Sequence, residues 1–86
     1  MNRENKVNPF KAADFCSPGR LLYIVVYNNT SDYPGQYVAR LWENGRPTDK
    51  HITGDTLQQV RAYIPGDLVA IQRDKLDDPC IVETWI

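Results

Sequence analysis

Histidine is nearly absent from this chain, with one in 86 residues, and cysteine occurs only at Cys16 and Cys80. A single histidine rules out a two-histidine zinc site or an H-E-x-x-H helix, and two distant cysteines form no CxxC pair. No metal site is expected. Two cysteines are also too few for a disulfide framework, and in a reducing compartment both would remain thiols. The five glycines fit neither a P-loop nor a dinucleotide fingerprint, so no cofactor and no small-molecule ligand is predicted.

Excess charge is lacking as well. Ten Lys and Arg stand against eleven Asp and Glu, a net of −1, which gives no long-range attraction to phosphate backbones or anionic membranes. General nucleic-acid binding is disfavoured. No stretch approaches the ~20 apolar residues that span a bilayer, and Arg3, Glu4, Lys6, Lys11 and Asp14 interrupt any signal-type apolar core near the start. The expected location is the cytoplasm.

What is present is the composition of an ordinary globular domain, 42% hydrophobic and 24% charged. The length suits one core. The pattern divides it into an N-terminal extension over 1–19 and a single α+β domain over 20–86. Asn8-Pro9 is a helix opening, and Phe10, Ala12, Ala13 and Phe15 supply one or two turns before Ser17-Pro18-Gly19.

Leu21 to Tyr27 is a continuous apolar run rich in β-branched and aromatic residues, as expected of a central strand buried on both faces. After the turn-forming stretch Asn28 to Gly35, residues Tyr37 to Glu43 alternate. Tyr37, Ala39 and Leu41 point one way, and Val38, Arg40 and Trp42 the other. Asn44-Gly45 signals a hairpin, with a short edge strand around His51-Ile52-Thr53. Asp55 and Gln58 resemble a capping box, and Leu57, Val60 and Ile64 form the apolar stripe of a helix ending at Pro65-Gly66. Leu68 to Gln72 reads as a fourth strand, Arg73 to Pro79 as a charged loop, and Cys80 to Ile86 as a fifth strand. The fold class is therefore α+β: a mainly antiparallel sheet of four or five strands, in the order β-β-β-α-β-β, with one main helix on one face.

Alternation in the last strand puts Cys80, Val82, Thr84 and Ile86 on one face and Ile81, Glu83 and Trp85 on the other. With the first set turned to the helix, Val38, Arg40, Trp42, Ile81, Glu83 and Trp85 gather on the far side of the sheet. Two tryptophans there form an apolar surface that needs a cover, such as the Phe10/Phe15 segment, a second copy or a protein partner. The plainer reading makes both tryptophans core, with Arg40 and Glu83 as a surface pair.

These residues set the functional expectations. The leading one is a small protein-binding or interaction module without catalysis, a homodimer among its forms. A second is a small enzyme in which His51, near Asp49 and Asp55, acts as a base; an exposed edge-strand histidine is the simpler account, since no nucleophile accompanies it. A third is single-stranded nucleic-acid binding through sheet aromatics, opposed by the acidic balance and the lack of an RNP-type motif. Asp74, Asp77 and Asp78 form an acidic loop without EF-hand spacing.

The stretches Tyr37 to Glu43, Gly54 to Arg61 and Asp77 to Trp85 together resemble a group of short uncharacterised bacterial proteins. The resemblance covers roughly Leu21 to Ile86 and leaves the first twenty residues outside. It implies no activity, cofactor or site residue.

Overall fold

A computed structural model describes residues 8–16, 18–72 and 80–86. Residues 1–7 of the N-terminal extension, Ser17, and the charged loop with its three aspartates lie outside the described residues. The strands are β1 (Leu22–Asn28), β2 (Tyr37–Glu43), β3 (Arg46–Gly54), β4 (Ala70–Gln72) and β5 (Ile81–Trp85), with a helix α1 (Leu57–Arg61) between β3 and β4. All pairings are antiparallel. Across the sheet the order is β3-β2-β1-β5-β4, so the last strand is inserted between the first and the fourth, and chain order does not give spatial order.

Local chemistry explains the elements. Asn44 and Gly45 both adopt positive φ, 51° and 85°, which matches the right-handed twist of the β2–β3 hairpin. The loop between β1 and β2 is closed by Asn29, whose side chain accepts from the Gly35 amide at 2.8 Å and whose own amide donates to Gln36. Between Arg40 and Trp42 the β2–β3 register slips, because Thr48, Asp49 and Lys50 face only Leu41. Thr48 stitches this bulge: its hydroxyl donates to the Leu41 carbonyl at 2.7 Å, and its own carbonyl accepts from Arg40 at 2.7 Å.

Two expectations about α1 are corrected. The helix is five residues long, because beyond Arg61 the chain continues in turns to Ile64. Its capping box is Thr56 with Gln59, one residue later than Asp55 with Gln58. Gln59 donates its amide to the Thr56 hydroxyl at 3.2 Å and accepts through Oε1 from the Thr56 amide at 3.3 Å. The N-terminal segment forms a 3₁₀ turn, Ala12–Cys16, preceded by an Asn8 side chain that accepts from the Phe10 amide at 2.9 Å.

The core lies between one face of the sheet and α1. Leu22, Ile24 and Val26 from β1, Ala39 and Leu41 from β2 and Ile52 from β3 meet Val60, Ile64 and Phe10 there. This is the inner face. No helix among the described residues is long and apolar enough to cross a membrane.

Gly54, at the end of β3, is buried under α1. A Cβ there would lie 2.9 Å from the Gln59 Cβ and 3.0 Å from the Gln59 oxygen that completes the cap. Gly54→Ala should therefore cost about 1–3 kcal/mol by crowding the helix and straining its cap. A urea midpoint indistinguishable from wild type would contradict this contact.

Candidate functional site

Register fixes which side chains share the outer face, the side of the sheet away from α1. Tyr23 stands opposite Trp42, and Tyr27 opposite Val38. The Tyr23 and Trp42 rings stack with centroids 6.0 Å apart and planes 21° from parallel. Trp42 also donates its indole N–H to the Tyr27 hydroxyl at 3.1 Å. These aromatic side chains cover their own strands: Val25 and Val38, both on this face, are only 5% and 2% exposed. Towards the β1–β2 loop, Tyr33 closes the layer by donating its hydroxyl to His51 Nε2 at 3.0 Å.

The six residues read from the sequence as one surface are split by the structure. Val38, Arg40 and Trp42 lie on the outer face, and Ile81 pairs with Tyr27 on that side. Glu83 and Trp85 do not. Glu83 pairs with Val26 and Trp85 with Ile24, both inner-face residues. The cause is a register shift in the β1–β5 ladder at Val26/Tyr27, which leaves Val82 without an opposite residue and breaks the alternation between Ile81 and Glu83. Arg40 and Glu83 consequently sit on opposite faces and form no pair. Phe10 and Phe15 pack on the inner side as well, so neither covers the outer face.

Glu83 is a carboxylate only 6% exposed. It is held by three donors: Arg61 Nε at 3.0 Å and Nη2 at 2.6 Å, and the Trp85 indole N–H at 2.6 Å. The fork of Arg61, reaching from the end of α1, matches the two carboxylate oxygens. Its hydrogen bonds hold the Glu83 carboxyl below the ordinary carboxylate range, against a desolvation that pushes the other way, while the Trp85 bond adds to the lowering. The same contact raises the Arg61 guanidinium.

With Glu83 and Trp85 turned inward, their neighbours turn outward. Thr84 pairs with outer-face Val25 and with Ile71. Val69 and Ile86 exchange both backbone bonds, at 2.8 and 3.0 Å, which extends the β4–β5 ladder and places both on the same face as Ile71 and Thr84. At the start of β1, the Asn44 amide donates to the Leu21 carbonyl and the Leu21 amide to the Asn44 side-chain oxygen, both at 2.8 Å, which sets Leu21 opposite Asn44, one residue beyond the Leu22–Glu43 pair and on the face of Tyr23. The large hydrophobic side chains most exposed among the described residues are Leu21 (64%), Val69 (65%), Ile71 (47%) and Ile86 (53%). All four fall on the outer face, at one end of the sheet, around the Tyr23/Trp42 stack. Burying them would release roughly 3–7 kcal/mol that the isolated chain leaves unrealised.

His51 is differently placed from the expected base. Its Nδ1 donates to the backbone carbonyl of Asp49 at 2.8 Å, not to a carboxylate, which leaves Nε2 as the acceptor for Tyr33. A cleft of about 590 Å³ opens between β3 and α1 beside Gln36, Asp55, Gln59 and Tyr63, but Gln36 already donates to Asp55 at 3.4 Å and Gln59 serves the cap. A smaller outer-face hollow of about 170 Å³ lies among Tyr27, Asp32, Tyr33 and Arg40. His51 lines neither. Cys80 places its sulfur 3.9 Å from the Asn29 carbonyl. Among the described residues, no three His, Cys, Asp or Glu side chains cluster as metal ligands would.

Sequence reasoning missed Leu21, Val69, Ile71 and Ile86 as a group. Their signal, apolar residues at strand ends, becomes a surface only once the register is known. Comparison with known protein families, with curated proteins and with solved structures finds no match.

The carboxylate network generates a pH prediction. A glutamate whose pKa is lowered by folding contributes its full stabilisation above the unfolded value, roughly pH 4.3, and loses it as pH falls through the folded value. Urea unfolding should therefore show stability declining below about pH 4.3, with part of the slope removed by Glu83→Gln. Arg61→Ala should cost about 1–3 kcal/mol at pH 7, held to the lower range because the guanidinium is partly in water. Equal acid profiles for wild type and Glu83→Gln would show that the network does not couple to folding.

Proposed function

We propose that this chain is a small non-catalytic interaction module whose working surface is the uncovered end of the sheet's outer face. The observation that carries the reading is the convergence of Leu21, Val69, Ile71 and Ile86 on one side of the Tyr23/Trp42 stack. Single exposed aliphatic residues are ordinary, but a contiguous group beside stacked aromatics is the signature of a contact surface. Of the residues read from the sequence as an interaction surface, Trp42 borders this patch; Val38 and Arg40 belong to the part of the face that the Tyr33 loop already closes.

Separate contacts weigh against the other readings. His51 has its ring nitrogens bonded to Tyr33 and the Asp49 carbonyl rather than to a carboxylate, which weighs against a His-based enzyme. Bases stacking on sheet aromatics would need Tyr23 and Trp42 face-on to solvent with cations nearby, whereas those rings stack on each other and Arg40 donates to Thr48. The resemblance to short bacterial proteins implies no activity and leaves this reading unchanged.

A comparative capture from host lysate tests it. Wild type and a Val69→Ser/Ile86→Ser variant of equal thermal midpoint should retain different sets of proteins, the variant losing those held by the patch. Identical sets, together with a chain that stays monomeric at every concentration, would overturn the reading.

A further inference from the structure

We propose that the surface covering the outer face is the same face of a second copy, the two sheets packing face to face about a two-fold axis. This rests on the reading of that face as an interaction surface and names its occupant. The molecule covers itself elsewhere: α1 and Phe10 close the inner face, and Tyr33 with Tyr27, whose hydroxyl is held by the Trp42 indole, closes the loop end of the outer one. Among the described residues, the other end of the outer face is left, bearing Leu21, Tyr23, Trp42, Val69, Ile71 and Ile86.

None of these six side chains carries a charge, so a charged counter-surface would lose solvation there without gaining a partner. The patch is also a sheet surface and not a groove, which suits a second sheet lying about 10 Å away better than a helix. Its own image supplies an uncharged, apolar, pleated surface of equal size. The area sets the strength. The four aliphatic side chains expose on the order of 400 Å², and with the rims of Tyr23, Trp42 and Thr84 the contact reaches roughly 500–600 Å² per copy, below the ~800 Å² of a standard tight interface. The dimer is therefore a weak, exchanging one, with Kd on the order of 10–100 µM.

Pairing through a strand edge is the competing geometry, and the edges argue against it. The outer edge of β3 carries Arg46, Pro47, Asp49 and Lys50, a combination that blocks strand addition. β4 is unguarded but three residues long. Because Val69 bonds to Ile86 through both of its backbone groups, the groups of Ala70 and Gln72 point to the free side, which offers two residues to a partner strand.

Sedimentation equilibrium on the purified chain, loaded from roughly 1 µM to 1 mM, tests the proposal across the expected range. The weight-average mass should rise from the 9.9 kDa of the monomer towards twice that value. Leu21→Lys and Ile86→Lys, both at exposed positions, should keep the wild-type thermal midpoint and each raise Kd at least tenfold. Gln72→Pro, which deletes an outward amide of β4, should leave Kd within about twofold. A monomer throughout the range, lysine variants that dimerise like wild type, or loss of the dimer only in Gln72→Pro would each overturn face-to-face association. A strict monomer that still loses lysate partners on Leu21→Lys would leave the interaction reading standing and remove only the second copy as occupant.

Discussion

The arrangement of the sheet depends on one buried carboxylate. Glu83 sits on the inner face, where water is excluded, and stays there because Arg61 and Trp85 satisfy its oxygens. An unpaired carboxylate in that position would cost several kcal/mol. The contact also ties the molecule across its width: α1 packs over β2 and β3, while Arg61 reaches past β1 to β5. The helix is too short to cover the whole inner face, and Val82 and Trp85 of β5 pack against the core beside it.

Holding Glu83 and Trp85 inward decides what faces out. In a strand of period two the residues between and beyond them have no other place to go, so Thr84 and Ile86 join Val69 and Ile71 on the opposite side. The exposed patch is thus the counterpart of the buried ion pair. A sequence optimised only for solubility would place polar residues at those four positions; the aliphatic ones there are what the proposed interaction surface is built on.

Much of the fold was legible from local pattern. The run Leu21 to Tyr27 announced a central strand, the alternation from Tyr37 to Glu43 gave the faces of β2, and Asn44-Gly45 gave the hairpin, because each rests on neighbours in sequence. The capping box was displaced by one residue since Asp55/Gln58 and Thr56/Gln59 satisfy the same spacing, and only backbone geometry separates them. The faces of β5 were the main loss. Reading the charged residue as outward is sound for an isolated strand, but Glu83 is neutralised by Arg61, twenty-two residues earlier, which no local pattern encodes. The bulge at Val26/Tyr27 then removed the second assumption, unbroken alternation through Ile81. His51 was placed correctly on an edge strand, but its partners, the Asp49 carbonyl and Tyr33, depend on the bulge in β3 and the folding of the Asn29 loop.

The claim on which all of this rests is that Arg61 and Trp85 donate to the same oxygen of Glu83. Both N–H vectors converge on Oε2, from 3.0 Å and 2.6 Å, so the Arg61 Nε proton and the Trp85 indole proton must lie within nuclear Overhauser range of one another. A nitrogen-edited NOESY spectrum on labelled protein should show that cross-peak, with the Trp85 ring in contact with inner-face methyls of Ile24. Cross-peaks from the Trp85 ring to Tyr23 and Trp42, with none to Arg61, would place β5 the other way round and contradict the account.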